Sequence, residues 1–156
     1  EEYNITVSRS AVGEINVVKE MKRVGSVIGG EGNGGVILPE SHYGRDSLVA
    51  TILLLNRLSM GDISMSKLHD SIPHYEIIKD FIKTKKPIDA NFAKIIKEEL
   101  KPDKIDDTDG IKLIWTNKWI HIRQSNTEPI VRFYAEAHTN NESKELINKS
   151  KKIFNH

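Results

Sequence analysis

Residues 47–59 read Ser-Leu-Val-Ala-Thr-Ile-Leu-Leu-Leu-Asn-Arg-Leu-Ser, directly after Asp46. At helical spacing, Leu48, Val49, Ile52, Leu53, Leu54, Leu55 and Leu58 spread apolar surface nearly all round the axis. Asp46 stands where an N-cap carboxylate accepts the first free N–H groups. A helix of this kind is expected to be buried on more than one side, so it calls for an α/β layer around it. It does not call for a bilayer: the longest apolar run, Val49 to Leu55, is broken by Thr51 and is far too short to span one.

The segments before this helix fit such a layer. Residues 3–8 read as a short β-branched strand and residues 14–23 as a helix with Val17, Val18 and Met21 on one stripe, ended by Gly25. Ser26 to Ile28 reads as a strand, Gly29 to Gly35 as a loop, and Val36 to Leu38 as a strand stopped by Pro39. The chain opens on Glu1-Glu2-Tyr3-Asn4 with no initiator Met and runs straight into a strand, so the expectation is a piece of a longer protein without a signal peptide.

At Gly61-Asp62 the pattern changes, and the boundary between two domains is placed there. Beyond it, Tyr75 to Ile82 reads as a strand, and Asp89 caps a helix with Phe92, Ile95, Ile96 and Leu100 on one face. Asp106 to Gly110 is a turn-rich link. Residues 111–115 and 119–123 form a hairpin near Asn117-Lys118, with Trp115 and Trp119 expected to pack across it. Residues 130–137 are a further strand. A capping box, Thr139 to Glu142, opens a last helix that buries Leu146, Ile147, Ile153 and Phe154. The expected fold is a partial α/β domain, residues 1–60, followed by a small α+β domain, residues 61–156, whose sheet is covered by helices on one face.

Charge and composition remove several function classes. Twenty-three basic and 22 acidic residues leave a net charge of +1, which argues against a nucleic-acid binder. There is no cysteine, which excludes disulfides, thiolate nucleophiles and thiolate metal sites and permits a reducing compartment. His42, His69, His74, His121 and His138 lack H-x-x-x-H or H-x-x-E spacing, and Asp106, Asp107 and Asp109 lack the rest of a calcium loop, so no metal ligand is assigned. The lysines at 79, 83, 85 and 86 read as a wet surface.

Two segments carry possible chemistry. Gly29 to Gly35 has five glycines in seven residues, with Glu31 and Asn33 between them. Glycine lets a ligand approach the backbone, and a carboxylate beside an amide suits paired sugar hydroxyls. A flexible connection between strands is the competing reading. No Lys-Ser/Thr pair follows, so this is not a P-loop. Residues 123–129 are Arg-Gln-Ser-Asn-Thr-Glu-Pro: a guanidinium, hydroxyls, an amide and free backbone N–H groups, the parts of an anion nest. Arg132 in the next strand either faces the same anion or lies on the solvated face. A plain Ser-Asn-Thr turn is the competing reading.

Taken together, the two segments resemble the sugar-binding loop of the third domain and the phosphate-binding loop of the fourth domain of the α-D-phosphohexomutases. That superfamily includes phosphoglucomutase, phosphomannomutase and phosphoglucosamine mutase. Val12-Gly13 resembles a further short loop near the sugar. The resemblance implies a cytoplasmic four-domain enzyme that interconverts hexose or hexosamine 1- and 6-phosphates through a hexose 1,6-bisphosphate. It implies that Glu31 and Asn33 contact sugar hydroxyls, and that Arg123, Ser125, Asn126 and Thr127, with Arg132, hold the distal phosphate. The phosphoserine and the aspartate loop for Mg²⁺ belong to domains absent from this sequence, as does the opening of the third domain. The chain is therefore expected to carry no catalytic residue, to bind no metal and to be inactive alone. Its expected partners are a phosphorylated sugar and the missing N-terminal domains, not nucleic acid or membrane. Many members carry Ser at the place of Asn33, His at that of Gly35, and some carry His at that of Glu14, which leaves the hexose open. A free-standing, non-catalytic sugar-phosphate module is the alternative.

Overall fold

The computed structural model describes residues 5–32, 34–125 and 127–155. The chain forms two compact units, Glu1–Ile72 and Pro73–His156. The pattern change at Gly61-Asp62 coincides with the end of a helix, and the units divide later, because a further short helix follows within the first unit.

In the first unit, helix α1 (Glu14–Val24) has Glu14 in its first turn and Lys22 and Arg23 in its last, matching the helix dipole. It stops at Gly25, whose φ of 66° is left-handed and lets Ser26 N–H bond back to Met21 O. Strands β1 (Gly29–Glu31) and β2 (Gly35–Ile37) pair antiparallel, with Glu31 opposite Gly35. The glycine-rich segment is thus a hairpin rather than a loop. Gly29 and Gly30 serve close packing: a Cβ on Gly29 would lie 2.2 Å from Met21 Sδ, and one on Gly30 would lie 2.4 Å from Gly35 O. The strand expected at 26–28 begins at Gly29 instead, and Val27 and Ile28 are exposed. Of the strand expected at 3–8, residues 5–8 form none and have no pairing partner among the described residues; residues 3 and 4 lie outside them.

Helix α2 (Ser47–Gly61) is capped as expected: Asp46 accepts from Leu48 N–H and Val49 N–H at 2.8 and 3.0 Å. These bonds, that to Val49 above all, and His42 at 3.0 Å hold the Asp46 carboxyl below its ordinary range. The expectation that α2 is buried on more than one side is not met. None of its residues is buried, and Leu48, Ile52 and Leu55 are 73%, 64% and 58% exposed. Among the described residues, the first unit offers a short hairpin and two other helices, too little protein to surround a helix apolar all round. Helix α3 (Met65–Asp70), capped by Ser64, had no distinct signal in the sequence.

The second unit is a five-stranded antiparallel sheet, ordered β3-β7-β6-β5-β4, with two helices. The strands are β3 (Glu76–Lys83), β4 (Lys104–Asp106), β5 (Ile111–Trp115), β6 (Lys118–Gln124) and β7 (Ile130–Ala137). Helix α4 (Ala90–Leu100) starts at Asp89, which accepts from Phe92 N–H at 2.7 Å. Helix α5 (Asn140–Asn155) starts at the expected capping box, in which Glu142 N–H bonds Thr139 Oγ1 and Thr139 N–H bonds the Glu142 carboxylate.

Alternation along the strands sends Leu113, Ile120, Ile122, Val131, Phe133 and Ala135 into one core with Phe92, Ile96, Ile147 and Phe154 of the helices. Phe154 meets Phe92 edge-on at 5.1 Å and Phe133 at 6.0 Å. The buried Ser143 hydroxyl donates to Glu76 O at 2.7 Å, so a polar group in the core keeps its partner. The register pairs Trp115 with Lys118. Trp119, one residue on, faces the other side, so the two tryptophans do not pack across the turn.

Phe154→Ala removes the ring shared by both helices and the sheet and should cost about 3–5 kcal/mol. Asp89→Ala leaves Phe92 N–H without its cap and should cost about 1 kcal/mol. Urea unfolding of the whole chain checks both, and a Phe154→Ala loss no larger than that of Asp89→Ala would contradict this account of the core.

Candidate functional site

In the first unit, Glu31 ends β1 and is mostly buried, its side chain 14% exposed, so it does not stand in a solvated loop. Gly34, with φ of 96°, turns the chain back and donates to Glu31 O at 3.0 Å. Asn33 lies outside the described residues. Arg45 lies beside Glu31, with Nη1 3.4 Å from Glu31 Oε2. Arg45 is itself held by Glu14, which accepts from its Nε at 2.9 Å and from its backbone N–H at 3.2 Å. The backbone N–H and then the guanidinium keep the Glu14 carboxyl below the usual carboxylate range. Neither Arg45 nor Glu14 was assigned a role from the sequence. Thirty-one positions separate them, and no local pattern links residues that far apart.

In the second unit, the antiparallel register places Arg123 of β6 opposite Arg132 of β7. Like charges at facing positions repel unless something of opposite sign sits by them. Glu128 answers Arg132 at 3.1 Å. Arg123 has Asp109, but only at 4.0 Å. Arg123 is 14% exposed, and its Nε and the neighbouring Gln124 Oε1 are buried without a hydrogen-bond partner among the described residues. The loop that follows is closed by Ser125 N–H on Ile130 O at 3.0 Å; Ser125 is buried and Thr127 is exposed. Asn126 lies outside the described residues. Of the residues expected to hold an anion, Arg123, Ser125, Thr127 and Arg132 therefore share one strand-loop-strand segment.

Arg123 and Gln124 also line a cavity of about 530 Å³ with Asp109, Gly110 and Lys97. Gly110 has φ of 78°, and a Cβ there would lie 2.4 Å from Ile122 O, so this turn packs directly on β6. The carbonyl of Asp109 accepts from the His121 ring. Burial pushes the His121 pKa below the ordinary imidazole value, and a neutral ring with one N–H suits that acceptor.

The aspartates of the same turn do not fit a hard divalent cation such as Mg²⁺. Asp106 accepts from Thr108 N–H at 3.0 Å, Asp107 meets Lys97 at 3.3 Å, and Asp109 faces Arg123. A magnesium site needs converging oxygen ligands in octahedral geometry, and these carboxylates are directed elsewhere.

Comparison with known proteins finds a family match for both parts of the chain. Residues 1–75 match the model for the phosphoglucomutase/phosphomannomutase α/β/α domain III, and residues 81–150 match that for the C-terminal domain of the same family. A phosphoglucomutase/phosphomannomutase of Thermococcus kodakarensis is 34% identical over 146 residues, 90% of this chain and 31% of its own length. A phosphoglucosamine/phosphogalactosamine mutase of Sulfurisphaera tokodaii is 32% identical over 154 residues, 97% of this chain and 34% of its own length. A crystal structure of a phosphoglucomutase/phosphomannomutase family protein from Burkholderia thailandensis shares the fold with a TM-score of 0.66, at 21% identity, over 91% of this chain and 31% of that one. The chain spans about a third of the length of the curated relatives it matches. Matched in order by domain III and then the C-terminal domain, it belongs to the phosphoglucomutase/phosphomannomutase family.

Proposed function

We propose that this chain is the sugar-reading and phosphate-holding part of a phosphohexomutase, which interconverts the 1- and 6-phosphates of a hexose or hexosamine through a bisphosphate. The first unit is then the latter part of domain III and the second unit is domain IV. The observation that carries the reading is Arg123: a largely covered side chain whose buried Nε donor has no partner among the described residues, facing a second arginine, at the start of the Ser-Asn-Thr segment. A buried donor without a partner costs about 1–3 kcal/mol. A phosphate oxygen in the loop relieves that cost and offsets the repulsion between Arg123 and Arg132.

Each side chain has a task in this reading. Glu31 and Asn33 accept and donate hydrogen bonds to sugar hydroxyls and so set which carbon faces the reacting phosphoryl group. Arg123 grips the phosphate that is not reacting, with Ser125, Asn126 and Thr127 capping its other oxygens. Arg132, already engaged by Glu128, adds longer-range positive charge. Phosphoryl transfer depends mainly on positioning and on neutralising charge, and these residues contribute positioning. The phosphoserine and Mg²⁺ belong to other domains of a longer protein, and the metal supplies charge neutralisation at the transferring group. Those domains, with the rest of domain III, cover the apolar sides of α2. The setting is cytoplasmic; no helix among the described residues is long and apolar enough to cross a membrane.

Three measurements test the proposal. This chain alone should give no turnover of glucose, mannose or glucosamine phosphates with Mg²⁺ and a bisphosphate activator, and turnover above a matched blank would refute it. In the longer protein, Arg123→Lys keeps the charge but loses the planar fork, so kcat/KM should fall about ten- to a hundredfold, as for loss of one charged hydrogen bond of about 1.5–3 kcal/mol. More bisphosphate should also escape into solution. Wild-type kinetics with wild-type retention would remove Arg123 from the role of anchor. Glu31→Gln should lower kcat/KM by a similar factor, and unchanged activity on all three sugars would end the hydroxyl assignment.

A further inference from the structure

The carboxylate proposed to read the sugar has a guanidinium beside it. Arg45 Nη1 stands 3.4 Å from its Oε2. Glu14 grips Arg45 at two points, the backbone N–H and Nε. The stem of Arg45 runs over Gly35, the cross-strand partner of Glu31. A Cβ on Gly35 would lie 2.4 Å from Arg45 Cδ and 2.9 Å from Cγ, so the path exists only because that residue is glycine. Arg45 is also anchored in sequence, directly before Asp46, the cap of α2. The guanidinium is therefore located by α1 through Glu14, by the hairpin through Gly35 and by the start of α2.

We propose that Arg45 is the positioning residue for Glu31 and through it sets sugar selectivity, an inference that rests on Glu31 being the hydroxyl acceptor. A planar guanidinium can serve two carboxylates at once from different nitrogens, which a lysine ammonium on a flexible stem does not reproduce in direction. With Oε2 engaged by Arg45, Oε1 points to one hydroxyl geometry. An untethered carboxylate would rotate to accept from either epimer. The hydroxyl bond is worth most when its acceptor is held in place before the sugar arrives.

The experiment uses the longer protein, with glucose 1-phosphate and mannose 1-phosphate, which differ at C2. Five proteins are compared with wild type: Arg45→Gln, Arg45→Lys, Gly35→Ala, Glu31→Gln and the double variant Glu31→Gln/Arg45→Gln. Thermal midpoints are measured alongside. Arg45→Gln should lower kcat/KM on the preferred sugar at least tenfold and bring the ratio between the two sugars toward one. Arg45→Lys should restore the thermal midpoint but not the ratio. Gly35→Ala keeps every charge, displaces the Arg45 stem and should reproduce the loss of selectivity. Because Arg45 acts through Glu31, the double variant should be no worse than Glu31→Gln. Additive losses, or an unchanged sugar ratio in folded Arg45→Gln and Gly35→Ala, overturn the proposal while Glu31 keeps its role. A silent Glu31→Gln overturns both.

Discussion

The antiparallel pairing of β6 with β7 is the constraint on which the second unit depends. It is a ladder of period two, so a single register decides both which side chains enter the core and where the two arginines beside the following loop lie. With Ile120 opposite Ala135 and Ile122 opposite Phe133, the apolar residues point to the helices. The same register sets Arg123 opposite Arg132 on the other side. A slip of one residue would turn Arg123 toward the core and Ile122 toward water. Packing on α4 and α5 forbids that slip. The placement of Arg123 and Arg132 thus follows from apolar burial on the opposite face of the sheet.

The first unit reaches a comparable result by different means. Its hairpin is short and made largely of glycine, which weakens a strand. Compensation comes from groups that approach because side chains are absent: Met21 against Gly29, the Gly35 carbonyl against Gly30 and the Arg45 stem over Gly35. The two carboxylates around one guanidinium then tie three elements together. Such pairs contribute little on an open surface. Under the proposal made above, their effect here is directional, since Arg45 sets where the Glu31 carboxylate points.

Much of the second unit was legible in the sequence. β7 has the expected bounds, 130–137, because its alternating pattern is uninterrupted. Asp89 and the Thr139–Glu142 box announced their helices through cap chemistry that acts over three or four residues. The segment at 123–129 was visible in the sequence as a link between two strands, and that is where it lies. The first unit was less legible, for physical reasons. Glycine signals a loop by propensity, and only the cross-strand contacts make residues 29–31 and 35–37 a hairpin. Arg45 was invisible because its role depends on folding that brings Glu14 and Glu31 to it. Trp115 and Trp119 were misplaced because adjacency along a hairpin says nothing about face until the register is known. The apolar circumference of α2 was read correctly as a pattern, while the burial it implies needs more protein than the first unit contains.

That helix has a consequence for handling the chain. Leu48, Ile52 and Leu55 recur at spacings of four and three, so their exposed side chains line up as a continuous greasy seam along one flank of α2. Seams of this kind attract one another in water. Such a seam favours association of copies through α2 at high concentration, or on warming as hydrophobic attraction strengthens, without any need for the sheet of the second unit to unfold. Loss of soluble material on storage would then report on that seam, a surface far in sequence from residues 123–129, rather than on unfolding.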